Sequence, residues 1–273
     1  MKSPSLFRPK RRQWLLATTA IAVVSLACAF GVRWWRGWSA GDVWGLTFGT
    51  LAAVLMLLGG LYGLRRRLMI APLNTAQDWL QVHVYGSTLA ALFVLIHMGF
   101  KWPGGGFGWW LFGLTMWTTI SGLIGVGLQK WVPALLAAQL TVEVIYDRIP
   151  DMVEQLRAES AKTMNGASDV LQRFYDAQVQ PALAGLAPSW AYLLDARSGR
   201  AERLAPFEHI QSFVGEGDKE RLADLKTIVS EKLEIEAHYS LQRILRLWPL
   251  THVPPAMLLL ALVVAHIVAV WYY

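Results

Sequence analysis

Four of the six histidines lie in long apolar segments, in two pairs of equal spacing. His83 and His97 are fourteen residues apart, and so are His252 and His266. In a helix, fourteen residues fall about 40° short of four full turns, so both rings of a pair share one face, roughly 21 Å apart along the axis. Neutral imidazole is a good axial ligand for haem iron, and two imidazoles fill both axial positions. The pattern predicts two bis-histidine haem sites.

Two other roles for these histidines have to be weighed. A histidine in an apolar helix often hydrogen-bonds a neighbouring helix, so the chain could be a haem-free assembly or interaction subunit. A proton relay is less favoured, because no Asp, Glu or Lys accompanies the histidines inside the apolar segments. His209 and His238 lie in a polar region without a partner at metal-ligand spacing, so we expect them to be surface or structural residues.

The elements that carry the histidines are apolar segments of membrane-spanning length. Hydrophobic residues make up 55% of the chain and charged residues 16%, which is too little charge for an ordinary soluble domain. A signal peptide is the alternative for the first segment, but its length and the lack of a cleavage site favour a helix. The predicted spans are Trp14–Val32, Val43–Leu64, Trp79–Phe100, Gly108–Leu128 and Pro249–Trp271.

Charge and tryptophan mark the ends of these segments. Before residue 130 the chain has 11 basic and 2 acidic residues, all flanking apolar runs, which indicates topology rather than nucleic-acid binding. The amino-terminal tail and the second loop hold eight of these basic residues, so we expect both to face the cytoplasm. The membrane is then expected to be the cell inner (cytoplasmic) membrane. Most tryptophans fall at span edges; Trp117 and Trp190 do not.

The domain organisation follows from these segments. Residues 1–128 contain spans one to four, 129–248 form a mostly helical cytoplasmic module, and 249–273 form the fifth span. A helix over Lys219–Leu247 is expected to continue into the last span. The predicted fold class is therefore all-α: an integral membrane bundle of five helices with a helical cytoplasmic insertion.

The two histidine-bearing spans are predicted to run in the same direction. The fourth span and the cytoplasmic module lie between them, so both run outward. His83 and His252 then lie near the cytoplasmic face and form one iron site. His97 and His266 lie near the outer face and form the other.

The haems are expected to be held without covalent bonds. The single cysteine, Cys28, lies in an apolar run, which excludes a c-type attachment motif and a cysteine-ligated iron–sulfur cluster. Two b haems are therefore predicted, with propionates that need cations. The candidate cations are Arg65, Arg66, Arg67 and Arg243 on the cytoplasmic side, and Lys101 on the outer side. For each of them the alternative is a purely topological role.

Small residues near the histidines allow two interpretations. A porphyrin edge needs room, and Gly86, Gly99, Gly122 and Gly125 could provide it. The second span contains two G-x-x-x-G steps, Gly45/Gly49 and Gly59/Gly63, which favour a helix-packing face over a cofactor site.

The segments HVYGSTLAALFVLIH, residues 83–97, and HVPPAMLLLALVVAH, residues 252–266, resemble the bis-haem membrane cytochromes b. The resemblance is greatest to the transmembrane domain of ferric reductases and NADPH oxidases, which also places histidine pairs on its third and fifth helices. It covers the five spans and not residues 129–248. It implies two b haems that carry electrons across the membrane.

The chain departs from that family after its fifth span. It ends at Tyr273 and has no G-x-G-x-x-G motif after a strand, so flavin and nicotinamide domains are not expected in it. We therefore expect an electron-transfer subunit of an oxidoreductase complex. Its expected partners are membrane lipid, other redox subunits or a c-type cytochrome, and a quinone is a further alternative. Residues 129–248 are the expected docking surface.

Overall fold

The structure, a computed structural model, describes residues 9–68, 76–139, 145–197 and 199–272, with side chains from 12 to 63 and from 77 to 137 in the first two ranges. Within these ranges the secondary structure is helical and contains no strand. This confirms the all-α class predicted from the sequence.

Four long helices come first in the chain. Between α3 and α4, Gly99 and Phe100 adopt left-handed backbone angles (φ 61° and 56°), so α3 ends three residues before the predicted span did. Helix α4 continues beyond its predicted end and includes Pro133. The helices are α1 (Pro9–Arg36), α2 (Val43–Leu68), α3 (Ala76–His97) and α4 (Gly105–Gln139).

Shorter helices follow, and a very long one closes the chain. The short ones are α5 (Ile149–Thr163), α6 (Asp169–Phe174), α7 (Gln180–Leu183) and α8 (Arg200–Ile210). Helix α9 runs over 57 residues, Glu216–Tyr272, so the predicted polar helix and the last apolar segment are one element, as expected. Among the described residues, five helices, α1 to α4 and α9, are long and apolar enough to cross a membrane.

The chain forms two compact units, of which the first comprises residues 1–124 and 249–273. In this unit α2 packs along α3, and α1 also packs on α3. Phe48, Phe93 and Ile96 lie at the centre of this contact. A second apolar cluster joins Ala53 of α2 to Leu259 and Val263 of α9.

The second unit, residues 125–248, has a core of its own. The short helices α5 to α8 pack their apolar faces on the first half of α9, because that half carries apolar residues at helical spacing. Three irregular turns, Tyr146–Arg148, Tyr175–Val179 and Trp190–Leu193, connect these helices. The fully buried residues at its centre include Leu171, Leu183, Leu225 and Ile235.

A buried ionic cluster ties the loop before Trp190 to α9. Glu236 is 0% exposed and accepts hydrogen bonds from Lys232 Nζ (2.5 Å), from Arg203 Nη1 (2.8 Å) and from the Ala187 backbone N–H (3.0 Å). Burial and the nearby Glu236 carboxylate raise the pKa of the Tyr192 phenol, which keeps the ring neutral. The charge of Glu236 is thus fully compensated inside the unit.

Replacing Glu236 by Ala should strongly destabilise the second unit, by about 3–5 kcal/mol, because Lys232 is left charged and 3% exposed. The matched control is Glu154→Ala, which removes an exposed ion pair with Arg157 and should cost about 0–1 kcal/mol. Limited proteolysis of the full chain in detergent across a urea series measures both effects. Equal urea midpoints for the two variants would contradict a stabilising role for the cluster.

Candidate functional site

Helices α3 and α9 bring His83 and His252 together. Their ring centroids are 6.4 Å apart and the ring planes meet at 81°. With an imidazole nitrogen about 2.0 Å from a bound metal ion, two axial imidazoles have centroids roughly 6.3 Å apart. The separation of the two rings therefore fits a single iron held between them.

The two histidines of α3 are oriented by backbone carbonyls of α2. His83 Nδ1 is 3.0 Å from the carbonyl oxygen of Gly59, and His97 Nδ1 is 2.8 Å from that of Gly45. A carbonyl oxygen can only accept, so each Nδ1 carries the proton and donates it. The lone pair of each neutral ring is then on Nε2, which is the atom needed for metal ligation.

His252 has an equivalent partner on α4. Its Nδ1 is 2.9 Å from Ser121 Oγ, and that hydroxyl is 3.3 Å from the carbonyl oxygen of Thr118. With its proton donated to the Thr118 carbonyl, the serine oxygen can accept from His252 Nδ1. The resulting tautomer again has its lone pair on Nε2.

The second pair, His97 and His266, lies at the other end of the same helices. The His266 ring contacts Phe107 of α4, with centroids 6.2 Å apart and planes at 37°. Each histidine of α9 is thus held against α4, as each histidine of α3 is held against α2.

The fourteen-residue spacing recurs on the two supporting helices. Gly45 and Gly59 are fourteen residues apart on α2, and Phe107 and Ser121 are fourteen apart on α4. Each supporting helix is antiparallel to its partner. Gly45 therefore meets His97 and Gly59 meets His83, and in the same way Phe107 meets His266 and Ser121 meets His252. The sequence singled out Gly45 and Gly59 only as part of a helix-packing face and did not single out Phe107 or Ser121, although the repeated spacing, read in reverse order, was a signal for all four.

Three glycines of the supporting helices lie beside the rings, and the approach is tightest at Gly49 and Gly122. A Cβ on Gly49 would lie 2.8 Å from His97 Nδ1, one on Gly59 3.6 Å from His83 Nδ1, and one on Gly122 3.3 Å from His252 Cε1. Of the G-x-x-x-G residues of α2, Gly49 and Gly59 pack against α3, including its histidines, whereas a Cβ on Gly63 would meet nothing within 4 Å. Gly122 was one of the glycines expected near a cofactor.

The other glycines expected near a cofactor have different neighbours. A Cβ on Gly86 would meet Leu55 at 3.8 Å, and one on Gly99 would collide with the Trp38 indole. Trp38 Nε1 in turn donates to the carbonyl oxygen of His97 at 3.3 Å. Gly125 belongs to the second unit and packs on Trp248.

The cations expected to bind propionates are spread over different settings. Exposed Lys101 lines an open cleft of about 350 Å³ together with Trp38, Met98 and Trp102. Arg243 belongs to the second unit, with its guanidinium 5.9 Å from the Tyr239 ring centroid. Arg33 was not predicted and donates to the carbonyl oxygen of Gly99 at 2.5 Å, two residues after His97. The side chains of Arg65, Arg66 and Arg67 lie outside the described residues.

The remaining potential ligands do not form a metal site of the usual kind. Within the described residues, no group of three or more His, Cys, Asp or Glu side chains could hold a metal ion. His209 is exposed on α8 and His238 is buried on α9, and Cys28 is partly buried on α1. No family model, curated protein or solved structure matches this chain.

A Gly49→Ala substitution should displace the His97 ring and break its hydrogen bond to Gly45, because the new methyl carbon would lie 2.8 Å from Nδ1. The variant should therefore unfold at a lower temperature than the parent. Gly63→Ala is the matched control on the same helix: its Cβ meets nothing within 4 Å, and alanine is the better helix former by roughly 0.5–1 kcal/mol. Thermal unfolding measured in detergent should show a lower midpoint temperature for Gly49→Ala only. A shift of the same sign and size in both would contradict the contact.

Proposed function

We propose that this chain is a membrane cytochrome b that carries electrons across a cell inner membrane through two bis-histidine b haems. His83 and His252 hold one iron, and His97 and His266 hold the other. The observation that carries the proposal is the 6.4 Å separation of the His83 and His252 rings, combined with Nδ1 bonds that leave Nε2 as the ligand atom. The resemblance to ferric-reductase-like cytochromes agrees with it.

The chain's own residues give the haem sites their properties. When bound, a six-coordinate haem b supplies reversible one-electron chemistry without an open axial position. The carbonyl oxygens of Gly59 and Gly45 and the hydroxyl of Ser121 hold the imidazoles in one tautomer and make them stronger donors. Gly49 and Gly122 keep the space beside the rings free of side chains.

The proposed membrane position is supported by the surface of the apolar helices. Large apolar side chains on several of these helices are exposed to the surroundings, which is unfavourable in water over so large an area. A bilayer would cover them, with α1 to α4 and the apolar part of α9 as spans and the amino terminus in the cytoplasm. Examples are Leu16, Val24, Ile120, Met257 and Val264.

The two haems would lie near opposite faces of the membrane. The fourteen residues from His83 to His97 rise about 21 Å along α3. Electrons would pass between a cytoplasmic or quinol donor and an acceptor at the outer face, such as a c-type cytochrome or another redox subunit. Residues 129–248 would provide the docking surface for a cytoplasmic partner.

The purified protein should bind two b haems per chain, and each histidine pair should control one of them. His97→Ala or His266→Ala should remove the outer haem and spare the inner one, since one axial ligand is lost in each case. His83→Ala or His252→Ala should do the reverse. Haem content and reduced-minus-oxidised absorption spectra measure both effects, and His209→Ala is the control because that ring is exposed on α8.

Two outcomes would contradict the proposal. A colourless protein from cells with ample haem would favour the haem-free assembly subunit, in which the histidines only bond helices together. Loss of both haems alike from a correctly folded single variant would contradict the pairing of His83 with His252 and of His97 with His266.

Ser121→Ala should change the inner haem without changing the outer one. The serine oxygen accepts from His252 Nδ1 and makes that imidazole a stronger donor to ferric iron. Its removal should raise the midpoint potential of the inner haem and weaken haem retention roughly ten- to a hundred-fold. Thr119→Ala is the control, because that hydroxyl bonds only to the Thr115 carbonyl among its described contacts. Identical redox titrations for the two variants would exclude this role for Ser121.

A further inference from the structure

Two large apolar side chains project from a short turn of the second unit. Trp190 is 70% exposed and Leu194 is 84% exposed, at the two ends of the segment Trp190–Leu194, which we term the anchor turn. Trp190 is also one of the two tryptophans that the sequence did not place at a span edge. Two exposed apolar residues of this size in one five-residue segment indicate a surface that meets an apolar environment.

The anchor turn is bonded to a residue at the predicted membrane edge. Trp131 Nε1 of α4 donates to the carbonyl oxygen of Leu193 at 2.8 Å. Trp131 stands where the fourth apolar segment gives way to charged sequence, and its indole is itself exposed. Since the turn is one short 3₁₀ element with a rise of about 2 Å per residue, Trp190 and Leu194 lie within about 6 Å of Leu193 along its axis.

Packing on α9 also places the anchor turn close to the predicted membrane edge. Tyr192 and Ala196 are buried against Ala237 and Leu241. Leu241 is seven residues, or about 10 Å along the helix, before Trp248, which directly precedes the predicted last span at Pro249. Two independent contacts, one with α4 and one with α9, therefore hold the turn beside residues at the predicted edge.

The polar residues around the turn suit an anionic lipid surface. Lys130, next to Trp131, and Arg197, after the turn, are both exposed. Asp195 is the acidic residue of this segment, and its Oδ1 accepts from the Arg197 backbone N–H at 2.9 Å. Exposed Trp and Leu flanked by basic residues are typical of segments that lie in the headgroup region.

We propose that the anchor turn inserts Trp190 and Leu194 into the headgroup region of the cytoplasmic leaflet and fastens the second unit to the lipid surface. The proposal rests on the membrane position in the proposed function, but it does not require haem. The occupant is interfacial lipid rather than a protein, because the turn is hydrogen-bonded to Trp131, which lies three residues beyond the predicted end of the fourth span.

The test uses single labelling sites in the full chain. Cys28→Ala removes the only cysteine, and Leu194→Cys then carries an environment-sensitive fluorophore in nanodiscs with spin-labelled lipids. Phe213→Cys is the matched control: Phe213 is 76% exposed in the same unit, just before α9 begins at Glu216, about 48 Å along the helix from Trp248. Leu250→Cys, in the predicted last span, reports membrane insertion.

We expect a blue-shifted emission and several-fold stronger lipid quenching at Leu194 than at Phe213, with a further increase when anionic lipid is added. Lys130→Glu together with Arg197→Glu should abolish that increase. Equal quenching at Leu194 and Phe213, with Leu250 quenched, would overturn the anchor and point to a protein partner instead. An unquenched Leu250 would overturn the membrane position and the anchor with it. The absorption spectrum of the same sample tests haem separately.

Discussion

The hydrogen bonds from histidine Nδ1 to a neighbouring helix are the interactions on which the rest of the proposed site depends. A helical carbonyl has a second lone pair after accepting its own backbone N–H, so Gly45 and Gly59 can receive an imidazole proton without loss of helix structure. The His97 ring lies against a part of α2 that has no side chain, since a Cβ on Gly49 would be 2.8 Å from its Nδ1. The close packing of α2 on α3 and the tautomer of the rings are thus two results of one constraint.

The sequence was sufficient to predict the long apolar helices and the approach of His83 to His252, but not which residues of α2 and α4 contact the histidines. Helical periodicity and apolar length correctly predicted five long apolar helices, as well as the continuity of the last polar helix with the last apolar segment. The partners of the histidines were missed, because the periodicity of one helix does not determine its register against another. Gly45 and Ser121 look like ordinary small residues until the antiparallel register is known.

The buried ionic cluster shows a different limit of sequence reasoning. Lys232 and Glu236 are four residues apart, the spacing of an ordinary exposed pair on a helix surface. They are buried because Arg203 of α8 and the backbone of Ala187 cover them, and both are remote in sequence. Burial of this kind depends on tertiary contacts. The local spacing therefore favours an exposed pair where the structure has a buried one.

The geometry of the inner pair bears directly on the choice between a haem protein and a haem-free assembly subunit. Two imidazoles that hydrogen-bond each other have ring centroids roughly 5 Å apart, given a nitrogen–nitrogen distance of about 2.9 Å. The centroids of His83 and His252 are 6.4 Å apart, which is too far for that bond and close to the spacing for two axial ligands. Helix association would also be satisfied by the Nδ1 bonds alone, and these join α3 to α2 and α9 to α4. Those bonds use only the Nδ1 side of His83 and His252 and do not explain why the two rings also lie beside each other between α3 and α9, whereas a shared iron would.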